Sequence, residues 1–157
     1  MVTAKEIASY FIAKANAQGS ESAELSGNND LTNLKLQKIL YFAQVEHLQE
    51  KGAPLFDDEI QAWQYGPVVK EVYDWLKGCG AYVITEFDVE LADTSKISEE
   101  TKSFLNKIWD KYSRYSAWGL VEKTHKEGSA WDLVYDDGKG AKNAISHNLL
   151  KQAETLE

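Results

Sequence analysis

Cysteine is almost missing from this sequence. Cys79 is the only one in 157 residues, so no disulfide can form within the chain and no thiolate zinc site can be built. That fits a reducing compartment. Arginine is equally scarce: Arg114 stands alone among 17 basic residues. Its planar fork is the preferred partner of phosphate groups, so its near absence argues against phosphate recognition. The 25 acidic residues leave a formal charge of −8, and such a field repels nucleic-acid backbones. It suits a basic partner protein, or solubility alone. No apolar run approaches the roughly 20 residues that cross a bilayer, and the opening "MVTAKEIASYFIAKANAQ" has no sustained apolar stretch or cleavage site. The reading is a cytoplasmic protein with no membrane contact.

The motifs of common chemistries are missing too. There is no H-E-x-x-H, no G-x-x-x-x-G-K-[ST] and no G-x-G-x-x-G. "DDGKG" at 136–140 mimics an acidic glycine turn without the ligand spacing of a calcium loop. His47, His125 and His147 lie far apart, with no local metal spacing. Asp57, Asp58 and Glu59 read as a solvated acidic turn. No catalytic residue, cofactor or metal is expected.

What the chain does have is a globular composition, 43% hydrophobic with five Trp, eight Tyr and five Phe. The aromatics exceed what a helical core of this size needs, so some are expected to face a partner. Apolar spacing predicts a helix over 3–18, closed by Gly19, and then a polar loop, "SESAELSGNND". A second helix runs from Thr32 or Asn33 to Gly52, greasy on so many sides that it should be central. Its Lys35 and Lys38, three residues apart, read either as solvated lysines or as a narrow basic strip.

"AWQYGPVVKEVY" then sets Gly66 and Pro67 behind Trp63 and Tyr65. Gly66 can take a backbone shape other residues resist, and Pro67 suits the first position of a helix carrying Val68, Val69, Val72, Tyr73 and Leu76. Short strands are expected near 59–64 and 82–86, paired with each other. Ser98 caps a strongly amphipathic helix, Ser116 caps a shorter one ending near Gly128, and 141–154 closes the fold as a helix. In "THKEGSAW", Thr124 and His125 sit at a helix end, with Trp131 in the loop beyond. His125 reads as a capping residue over Trp131, or as a polar spot on a contact surface. The expected fold is mainly α: a compact single-domain bundle of about six helices over 1–157, with a small two-stranded β element.

Three blocks in order, "LTNLKLQKILYFAQVEHL", "PLFDDEIQAWQYGPVVKEVY" and "THKEGSAW", resemble the Panacea domain, the SocA-like or GepA-like family of phage-associated and bacterial proteins. The likeness runs over about 4–150. It implies an antitoxin of a toxin–antitoxin pair, a non-enzyme that neutralises a cognate toxin by direct protein contact. The toxins of this family include alarmone synthetase-like inhibitors of translation. One branch acts as a proteolytic adaptor that delivers its toxin to a protease and its unfoldase. Some relatives add an N-terminal DNA-binding segment, and none is expected in this sequence. The motif positions carried over are Leu36, Gln37, Lys38 and Tyr41, then Trp63, Tyr65, Gly66, Pro67 and Val68, then Thr124, His125 and Trp131. They are expected to serve mostly the scaffold, with direct toxin contact as the alternative. Two other readings stay open beside the antitoxin: the adaptor, and a small phosphate-binding protein or enzyme that would gather Lys35, Lys38 and His125 in one pocket. A homo-oligomer is compatible with each.

Overall fold

A computed structural model describes residues 2–21 and 30–155. Most of the polar loop expected after the first helix therefore lies outside the described residues. Helix α1 (Ala4–Glu21) lays Ile7, Ala8, Phe11, Ile12 and Ala15 into the core. Helix α2 (Asn33–Lys51) follows. The Thr32 side chain accepts from Lys35 N at its start, and Gly52 closes it in the left-handed conformation at φ 73°. As expected, α2 is central. It is buried at 14 of its 19 positions and touches α1, a short sheet and four of the later helices. A helix enclosed on every side must bury its polar residues as well, and α2 buries Asn33, Lys35, Gln37, Lys38, Gln44 and Glu46.

The sheet departs from expectation. Strand β1 (Ile60–Trp63) pairs antiparallel with β2 (Gly66–Val69), not with 82–86. Trp63 opposes Gly66, leaving Gln64–Tyr65 as a two-residue turn. Pro67 thus sits inside a strand instead of opening a helix, and helix α3 (Lys70–Leu76) begins three residues later. The residues around 82–86 form no strand. Ile84 N instead donates to Leu31 O, just before α2. The hairpin wins because two residues between complementary strands close a tight turn at little entropic cost, whereas pairing 60 with 84 would span a long loop.

Helix α4 (Glu99–Tyr112) is capped by Ser98 and α5 (Ala117–Thr124) by Ser116, both as expected. Trp131 is not in a loop. It lies on a short helix, α6 (Ala130–Tyr135), whose cap Ser129 accepts from Asp132 N while Asp132 accepts from Gly128 N. The final helix, α7 (His147–Lys151), is much shorter than expected. Residues 142–145 run along β1 instead. Lys142 N donates to Ala62 O, Ala62 N to Asn143 O and Ile145 N to Ile60 O. These bonds cover the edge of β1, which would otherwise be an open template for another strand. No helix among the described residues is long and apolar enough to cross a membrane.

Candidate functional site

The hairpin edge facing α2 explains most of the unusual residues. Positions 67 and 69 of β2 turn their backbone groups away from β1. Val69 N donates to Gln37 Oε1 at 2.8 Å, and Pro67 O accepts from Lys38 Nζ at 3.1 Å. Pro67 has no N–H, so no donor is orphaned on that side. Two side chains of α2 thus stand in for a third strand. Gln37 is itself oriented by donating from Nε2 to Asn33 Oδ1 at 2.9 Å, and Asn33 reaches Tyr73 O. Burial pushes the Lys38 amine down to about 7, since an ammonium loses its hydration there.

Gly66 is where three elements meet. Its φ is +108°, and a Cβ built there would lie 2.7 Å from Lys38 Cε and 2.9 Å from Thr124 Oγ1. Only glycine meets both demands. Thr124 is buried and donates to Val121 O, while Ser129 Oγ donates to Thr124 O, joining α5 to α6. His125 stacks flat on Trp131 at 3.9 Å, and Trp131 stacks on Tyr135 at 4.7 Å. Trp131 Nε1 donates to Trp63 O at 2.7 Å, pinning the turn from the far side. His125 Nε2 is buried without a hydrogen-bond partner among the described residues. Burial first, then the Lys38 charge, hold its pKa below the usual imidazole value.

On the outer side of this hub lies a groove of about 740 Å³. Trp63, Tyr65, Tyr73 and Trp118 are its aromatic walls, with Leu34 and Val68 between them. Tyr65 and Trp118 are 52% and 58% exposed yet hold each other edge to face at 5.6 Å. Trp63 tilts against Tyr73 at 4.8 Å, and the Lys142 ammonium sits 5.1 Å above the Trp63 ring. Gln37 and Lys38 reach its floor, while Lys77 and Lys142 complete the lining. Among the described residues no carboxylate lines it.

Most motif residues from the three sequence blocks converge on this hub and groove. Tyr41 does not. It is buried on another side of α2, beside a hollow lined by α5 to α7, where desolvation pushes its phenol up to about 12. Lys35 and Lys38 are neither solvated nor a basic strip. Lys35 is 1% exposed and donates to Ser113 O at 2.6 Å and to Asp30 at 2.8 Å, so its charge meets the C-terminal end of α4. Lys38 alone reaches the groove; Lys35 and His125 do not line it. The single pocket that the phosphate-binding reading requires is therefore not formed. Reasoning from sequence missed Trp118, Lys77, Lys142 and Asn33 as groove residues. Their signal is weak, because only the hairpin brings α2, α3, α5 and residue 142 to one place. Among the described residues no group of His, Cys, Asp or Glu is placed to hold a metal ion.

Comparison with known proteins agrees with these motifs. The family described as Antitoxin SocA-like, Panacea domain, matches residues 36–132. Antitoxin SocA of Caulobacter vibrioides (strain NA1000 / CB15N) is 30% identical over 112 residues. That stretch covers 66% of this chain and 60% of the relative, so the chain spans well under the relative's full length. No solved structure matches. The chain belongs to the SocA-like Panacea-domain family.

Proposed function

We propose that this chain is the antitoxin of a toxin–antitoxin pair and neutralises its cognate toxin by direct protein contact in the cytoplasm. Family membership supports an antitoxin role and a toxin partner in general. The observation that carries the binding mechanism is the aromatic groove, a partly exposed and largely apolar surface. A single domain over 1–157 is part of this proposal. Helices α1 and α7 lie outside the matched residues 36–132 but share one continuous core with them.

Co-expression tests the reading. Inducing the neighbouring gene should arrest growth, and inducing this chain with it should restore growth and yield a co-purifying complex. Rescue accompanied by loss of the toxin protein would favour the adaptor, which delivers its partner for proteolysis. Absence of toxicity with or without this chain would remove the antitoxin reading.

A further inference from the structure

The groove lining differs in charge from the chain as a whole. The chain carries 25 acids against 17 basic residues, yet the groove lining holds Lys38, Lys77 and Lys142 and, among the described residues, no acid. Asp74 feels Lys77 and Lys142 from outside the lining, but its carboxylate is already paired with Lys70 at 2.5 Å. Lys38 is buried and committed to Pro67 O, so the cations free to meet a ligand are Lys77 and Lys142. The walls are also built in advance. Tyr65 and Trp118 brace each other, and the turn behind them is fixed by Trp131, Gly66 and Lys38. A partner that settles there meets aromatic rings that lose little freedom on binding.

We propose that this groove is where the chain takes hold of its toxin, and that the segment it accepts presents apolar or aromatic side chains around a carboxylate. The apolar groups pack on Trp63, Tyr65 and Trp118. The carboxylate lies between Lys77 and Lys142. A locally cationic groove on a chain of net charge −8 selects a single acid in an apolar setting and repels a polyanion at longer range. This favours a protein segment over single-stranded nucleic acid, which aromatic and lysine side chains could otherwise also stack and pair. Naming the partner as the toxin rests on the antitoxin reading above.

Two experiments separate the inference from that reading. A random peptide library is selected on the purified full chain, and an enriched peptide is then synthesised and titrated. The selected peptides should carry Asp or Glu flanked by apolar or aromatic residues. Trp118→Ser, or Lys77→Glu with Lys142→Glu, should weaken the peptide at least about tenfold. Phe87→Ser removes another exposed aromatic outside the lining and should leave binding unchanged. In co-expression the same groove variants, each with an unchanged melting temperature, should lose toxin neutralisation while Phe87→Ser keeps it. Groove variants that hold and neutralise the toxin like the parent would overturn the groove and leave the antitoxin reading standing. Groove-dependent acidic peptides from a chain that neutralises nothing would support the groove's ligand chemistry and remove the toxin as its occupant. Peptides without an acid, or displacement of the peptide by a tighter-binding single-stranded oligonucleotide, would overturn the proposal.

Discussion

Gly66 is the residue on which the site's geometry depends most. Any side chain there meets Lys38 and Thr124 below 3 Å and must also hold φ +108°. Gly66→Ala is therefore expected to cost about 2–4 kcal/mol, read as a lower urea midpoint with an unchanged slope; an unshifted midpoint would contradict this packing. Lys38 makes a second prediction. Burial lowers its folded pKa to about 7, while the unfolded value is 10.5. Between these values the unfolded chain binds more protons, so stability rises with pH, by at most about 1.4 kcal/mol per unit. Tyr41 works in the opposite direction, but only above its unfolded value of 10. Urea titrations at about pH 7.5 and 9.5 should show this rise in the parent and a flatter dependence in Lys38→Met. Equal slopes would mean that Lys38 stays charged. The sequence makes Gly66 legible as a special backbone position. It cannot say that Lys38 is buried, because a lysine three residues from another on a helix is usually solvated. Only the demand for a donor at Pro67 O, set by the hairpin, draws it inward.

Helix α2 shows how an element can be placed correctly and its polar residues misread. Its breadth of apolar positions signals a central helix, and its ends, Thr32 and Gly52, are where the capping residues put them. What breadth hides is that each polar residue has a structural duty. Glu46 accepts from Lys111 and Tyr112, joining α2 to α4. Gln44 donates to Phe56 O and accepts from Leu55 N, both at 2.7 Å, and so holds the bend before β1. Gln44→Leu fills similar space but strands both backbone groups, with an expected loss of about 2–4 kcal/mol. Chemical denaturation reads this directly; a loss below about 0.5 kcal/mol would show that water replaces the side chain. Serine caps made α4 and α5 legible. The same grammar, Ser129 with Asp132, could have revealed α6. Helix α7 is shorter than the apolar spacing over 141–154 implies, because that spacing cannot register that β1 has an edge to cover.

At the scale of the molecule, one helix and one hairpin organise both the core and the outer groove. The motif that identifies the family is used twice. Its inner atoms hold Gly66, Pro67 and Gln37 together, while the half-buried Trp63 and the exposed Tyr65 line the groove with Trp118. The scaffold role is visible in these bonds, and the outer rings are the ones proposed above to meet the partner. The global charge suggests a basic partner, whereas the groove prefers a local acid, and the two are compatible only if the partner's acid lies within an otherwise apolar or basic surface. Neutralisation by contact is tested by a titration in purified components. The toxin's own activity is measured while this chain is added, with no protease, unfoldase or nucleic acid present. Activity should fall in proportion to added chain and reach its floor at a fixed stoichiometry, with the toxin recovered intact in the complex. Undiminished activity in the purified mixture, from a chain that rescues growth in cells, would contradict it.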